Sequence, residues 1–185
     1  MFLRQHYIGT ILQSCDALVS PSDFLIQRYV DSGIDHPNFL MIENGLPPQF
    51  ASAERPRYLA THSRELNRFG FFGQLNIYKG PLVLLKAVAL LQDRGITNFS
   101  VSIHGANLEH QPQDFQDDFE RTLEQVHERV SMRGSYRQQD MESLMLDIDW
   151  MVIPSIWWEN SPVVIQESFF YGRPVLGRSE EHTSE

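Results

Sequence analysis

Two glutamates, Glu159 and Glu167, have seven residues between them in Pro154-Ser-Ile-Trp-Trp-Glu159-Asn-Ser161-Pro162-Val-Val-Ile-Gln-Glu167. Ser161 and Pro162 have the types expected of a helix cap and first helical residue, and the free amides of such a helix start suit a diphosphate. Glu167 falls six residues past that cap, roughly 9 Å along the axis, where a carboxylate can accept from the vicinal hydroxyls of a ribose. Spacing alone equally allows a solvated pair of glutamates. Gly73-Gln-Leu-Asn-Ile-Tyr-Lys79-Gly80 is a second candidate, because glycines admit an anion to the backbone and Lys79 brings a full positive charge. Lys79 precedes its glycine and no Ser or Thr follows, so this is not a magnesium-holding Walker loop. A solvated lysine at a helix start is the plain alternative. His104-Gly105-Ala-Asn107 is a third candidate, which a tight turn explains equally well. Trp157 and Trp158 are expected to pack in the core or at its rim, the alternative being contacts to the donor.

These segments need elements to position them. Ala17-Leu-Val19 reads as a strand, followed by a helix from Ser20-Pro-Ser-Asp23 to Gly33, with Leu25, Ile26, Tyr29 and Val30 on one face. A second strand, Phe39 to Ile42, runs into Asn44-Gly45, and the aperiodic Pro47 to Arg64 reads as a linker. Beyond it the pattern is regular: strand Phe69–Phe72; a helix from Pro81 to Gly95 burying Leu84, Leu85, Val88 and Leu91; strand Phe99–Ile103. A polar helix carrying Phe115, Phe119, Leu123, Val126 and Val130 follows. Strand Val130–Met132, a helix around Met141 to Met145, strand Trp150–Ile153, a helix from Pro162 to Gly172 and strand Pro174–Leu176 complete the series. Such alternation predicts an α/β fold, a Rossmann-like parallel sheet flanked by helices, with ligands beyond the carboxyl ends of its strands.

Composition narrows the function. A net charge of -9 with only 15 Lys and Arg argues against a nucleic-acid surface. No apolar run is long enough to span a bilayer and the first ten residues lack a secretory pattern, so a cytoplasmic protein is expected. The single cysteine, Cys15, reads as packing, and the seven histidines show no metal-ligand spacing, so neither structural nor catalytic zinc is expected. The last eight residues, Arg178 to Glu185, read as the translation of a sequencing-adapter oligonucleotide and are set aside as a non-native tail.

From Asn44 to Gly177 the chain resembles glycosyltransferase family 4, retaining enzymes of the GT-B fold. The resemblance rests on Asn44-Gly45, Gly73, Lys79-Gly80, His104-Gly105, Gly134 to Tyr136, Asp149, Pro154-Ser155, Glu159 to Glu167 and Gly172-Arg-Pro-Val175. It implies the acceptor domain's C-terminal remnant over 1–50, a linker over 51–65 and an incomplete nucleotide-sugar-binding domain over 66–177. It also implies that Glu159 sits beside the donor sugar, that Glu167 binds the ribose and that Lys79 meets the diphosphate. The amides around Ser161, Val163 and Val164 are assigned to the donor, and the backbone around Met132 and Arg133 to the base. Gly73, Gln74 and His104 complete the implied donor site. One departure is Gln74, where the family usually has an arginine, which shifts neutralisation of the leaving diphosphate onto Lys79 and the helix amides. The implied reaction is retaining transfer of a sugar from a nucleoside diphosphate to a hydroxyl, with no metal and no cofactor. Its acceptor, whether glycan, lipid-linked or small, is met through the missing domain, with membrane association open in the full-length protein and this piece silent alone. The alternatives are a non-catalytic nucleotide-sugar-binding module and a sugar-nucleotide epimerase of the same fold.

Overall fold

The computed structural model describes residues 2–46 and 65–177; the expected linker and the tail 178–185 lie outside them. The described residues fall into two compact units, one of 2–46 with 159–163, the other of 65–158 with 164–177.

In the smaller unit, α1 (Phe2–Gln13) precedes β1 (Leu18–Ser20), α2 (Asp23–Asp31) and β2 (Phe39–Met41). The expected β1–α2–β2 succession is present, with β1 and β2 parallel. Ser22 caps α2 by accepting from the Leu25 amide, and Gly33, at φ 86°, ends it in the left-handed region. His36 is buried, its Nε2 3.0 Å from the Cys15 carbonyl while its Nδ1 accepts the Asn38 amide. Cys15 itself is exposed, which corrects the packing role expected of it: the turn after α1 leaves its thiol at the surface against the Ile11 carbonyl. Helix α1 was not expected either, for its sequence has no sustained apolar stripe.

The larger unit holds β3 (Arg68–Phe72), α3 (Pro81–Asp93), β4 (Ser100–His104), α4 (Gln113–Val126), β5 (Val130–Gly134), α5 (Met141–Leu146), β6 (Trp150–Ile153), α6 (Val163–Phe170, its first residue lying in the smaller unit) and β7 (Val175–Gly177). The five strands are all parallel, in the order β5-β4-β3-β6-β7, so the chain grows outward on one side of β3 and then returns to the other. The reversal lies between β3 and β6, the crevice where such sheets bind ligands. Val130, expected both on the polar helix and at the start of the next strand, opens β5 as the second expectation has it; α4 ends at Val126 and Arg129 donates back to its carbonyl.

Alternation sorts the side chains of β3 and β4. Phe71, Val101 and Ile103 join Leu84, Leu85 and Val88 of α3 and Phe119 and Val126 of α4 in one core. The other face carries Gly70, Phe72, Ser102 and His104. A Cβ on Gly70 would come within 2.8 Å of Ile148, so only glycine lets the segment after α5 lie flat there. At the amino ends of the strands Asp149, fully buried, accepts from the Arg68 amide at 3.0 Å and from its guanidinium, clamping β6 to β3 far from the strand tips. Among the described residues, no helix is long and apolar enough to cross a membrane.

Candidate functional site

The strand tips are laced together by backbone. Gly73 donates to the His104 carbonyl at 3.0 Å, Gly105 to Gly134 at 2.9 Å and Leu75 to Ala106 at 2.9 Å. A Cβ on Gly105 would stand 2.2 Å from the Gly73 carbonyl oxygen, so the close approach of the first two tip loops excludes any side chain there. Gly80 is more constrained: φ is 68°, and a Cβ would lie 2.0 Å from the Pro154 carbonyl oxygen. Two of the sequence's candidate loops therefore touch at Gly80, where α3 begins. The Asn76 carboxamide accepts the Lys79 amide at 2.9 Å and donates to Gln74, folding the loop so that Lys79 arrives half-buried at the start of α3. Gln74 is exposed.

On the sheet face opposite α3 and α4, three rings gather. His104 stacks on Phe72 with centroids 4.3 Å apart and planes 3° from parallel, and Tyr136 meets both edge-on. Burial and then the Arg133 charge push the His104 pKa down to about 4, against a smaller opposing effect of Asp147, so the imidazole is neutral at pH 7. Its Nε2 lies 3.2 Å from the Ser102 hydroxyl. The register slips between Ile103 and His104, which face Met132 and Gly134, leaving Arg133 as the extra residue of a bulge. Met132 and Arg133 are exposed.

Glu167 is only 4% exposed, which sets aside the solvated alternative. One oxygen accepts from Gln138 Nε2 at 2.6 Å. Burial raises the pKa of its carboxyl and the Gln138 bond opposes that shift; Tyr136 is raised by burial and then by the Glu167 charge. A groove of about 650 Å3 runs along this face, lined by His104, Arg133, Tyr136 and Ser102 at its upper part and by Ser100 and Arg68 lower down. That volume is ordinary for a small-molecule site.

The larger unit thus holds Gly73, Gln74, Lys79, His104, Met132, Arg133, Val164 and Glu167, whereas Glu159, Ser161 and Val163 belong to the smaller one. Ser161 is not the expected cap. Its φ is 76°, outside the extended region a capping serine adopts, its carbonyl accepts from Asn44 Nδ2 at 2.9 Å, and α6 opens at Val163 rather than at Pro162. Asn160 in turn accepts from the Ser22 hydroxyl at 2.5 Å. Trp157 and Trp158 are 60% and 50% exposed, so neither is a core residue. Sequence reasoning missed Phe72, Gln138 and the Arg133 bulge. Gln138 lies 29 residues from the glutamate it holds, a pairing that no local pattern announces.

Residues 67–185 match the model of the family described as glycosyl transferases group 1. The chain belongs to that family. No curated protein matches it. Among solved structures, this group 1 chain is similar to HepE of Anabaena in complex with UDP and glucose, at 19% identity, with a TM-score of 0.70 over 95% of this chain and 48% of that one. It is similar to a glycosyltransferase of Rickettsia africae at 18% identity and a TM-score of 0.71, covering 94% and 47% of the two chains. Sucrose-phosphate synthase of Thermosynechococcus elongatus is 17% identical, with a TM-score of 0.72 over 96% and 44%. The chain spans about half the length of each, and its parallel sheet flanked by helices is of the GT-B type.

Proposed function

We propose that this chain binds a nucleoside-diphosphate sugar and that, in a protein of its relatives' full length, it serves a retaining, family 4 type transferase that moves the sugar to a hydroxyl acceptor. The observation that carries the reading is Glu167, a buried carboxylate steadied by Gln138 beside the Phe72–His104–Tyr136 rings at the strand tips. Such a group accepts from paired ribose hydroxyls while the backbone of Met132 and Arg133 borders the base. HepE was solved with UDP-glucose and with UDP, which supports a nucleotide sugar as ligand here.

Lys79 and the α3 start supply positive potential for the diphosphate. As the bond between the anomeric carbon and the phosphate oxygen breaks, negative charge grows on the leaving diphosphate. Lys79 and the amides of Ser161, Val163 and Val164 take that charge without a metal. Gln74, tied to Asn76, brings no charge, so Lys79 bears more of the task. Glu159 is assigned to the donor sugar, and the acceptor to parts of the relatives' length that this chain does not span. The protein acts in the cytoplasm.

Calorimetric titration with UDP tests the binding half. UDP binds the 185-residue chain, and Glu167→Ala weakens it by about tenfold or more, the loss of two hydrogen bonds from a buried charge. Within a full-length protein, Lys79→Ala slows transfer more than it weakens binding. Unchanged UDP affinity in Glu167→Ala would sink the assignment.

A further inference from the structure

An exposed aromatic ridge stands on two neighbouring loops of the larger unit. Ile156 donates its amide to the Tyr78 carbonyl at 2.9 Å, which fixes the loop after β6 beside the loop after β3. Each loop offers an isoleucine and then an aromatic residue, Ile77-Tyr78 and Ile156-Trp157. Tyr78 and Trp157 meet at 5.4 Å with planes 67° apart, and Trp158 lies 5.9 Å beyond Trp157 at 40°. All three rings are half-exposed or more. The two isoleucines also line a cleft of about 220 Å3, together with Lys86 of α3 and Asp114, Phe115 and Asp118 of α4.

We propose that ridge and cleft form a saccharide site distinct from the nucleotide-sugar crevice, taking one pyranose ring of an acceptor or product glycan. The chemistry fits on both sides. An indole face covers the apolar C–H face of a pyranose, while Asp114 and Asp118 accept from its hydroxyls and Lys86 donates to them. A cleft of 220 Å3 falls below the range of nucleotide-sized pockets and suits a single ring. It opens on the α3–α4 side of the sheet, whereas the Phe72–His104–Tyr136 rings occupy the other face, so it is separate from the proposed base and ribose contacts. The site rests on the glycosyltransferase reading only for its expectation of sugar chemistry.

Saturation-transfer NMR and tryptophan fluorescence on the 185-residue chain, with maltotriose, cellotriose and chitotriose as probes and UDP titrated separately, test it. At least one trisaccharide should perturb the indoles. Trp157→Ala should weaken that binding by about tenfold and leave UDP affinity unchanged, with Trp157→Phe restoring most of it. Far-UV circular dichroism checks that the variants fold. Trisaccharide binding without UDP binding would support the ridge while sinking the nucleotide reading. UDP binding with no trisaccharide at the indoles would overturn the ridge alone, as would Trp157-dependent binding to phosphatidylglycerol vesicles in its place.

Discussion

At the scale of single residues, the site is governed by what burial does to charge. His104 stacks flat on Phe72 under the Arg133 charge, and an imidazolium there would lose water and face a like charge, so the ring stays neutral. The folded pKa of about 4 lies below the 6.5 of an exposed histidine, so between those values the unfolded chain binds the extra proton. Stability from this residue is complete above pH 6.5 and is lost as pH falls toward 4, by at most about 3 kcal/mol. Thermal melts of the parent and His104→Phe across that window should show the parent losing more stability on acidification. Parallel curves would refute a buried neutral imidazole. Glu167 was legible from its spacing to Glu159 and from its chain context, but its burial was not, because Gln138 reaches it from another loop.

Elements place these residues through backbone contacts that forbid a side chain. Gly80 combines a left-handed φ of 68° with a Pro154 carbonyl oxygen 2.0 Å from where a Cβ would be, so Gly80→Ala strains the chain and forces the β3 and β6 loops apart. Gly95 has a similar φ of 74° but open space around it. Urea denaturation should therefore cost Gly80→Ala about 3 kcal/mol and Gly95→Ala about 1 kcal/mol, the difference measuring the loop contact. The sequence marks Gly80 as part of an anion-admitting loop and Gly95 as the end of a helix. Only the neighbouring loop separates their costs. Ser161 teaches the same lesson in reverse: its type and its place before Pro162 fit a cap, yet the backbone turns left-handed there and its carbonyl meets Asn44.

For the whole molecule, the division into two units predicts where a nucleotide is felt. The proposed ribose, base and Lys79 contacts all fall within 65–158 and 164–177. Hydrogen exchange with saturating UDP should slow at His104–Gly105, Gly134–Tyr136 and Val164–Glu167, with little change over 2–46. Protection confined to 2–46 would place the nucleotide elsewhere.

The alternation of strands and helices, and with it the parallel sheet, was written in local sequence, because apolar period and turn chemistry act over a few residues. Trp150–Ile153 was delimited as a strand from its apolar run alone, and Pro81 and Gly95 bracketed α3. The candidate loops also declared themselves, since glycine, lysine and paired glutamates carry their chemistry in their types. What the tertiary structure decided were the long-range meetings: Gln138 with Glu167, Phe72 with His104, Gly80 with Pro154 and Tyr78 with Trp157. Each joins segments separated by a strand or a helix, and only the sheet that sets β3, β4, β5 and β6 side by side brings them within reach. Burial then keeps His104 neutral and raises the pKa of the Glu167 carboxyl, effects of the surroundings that residue type alone does not carry.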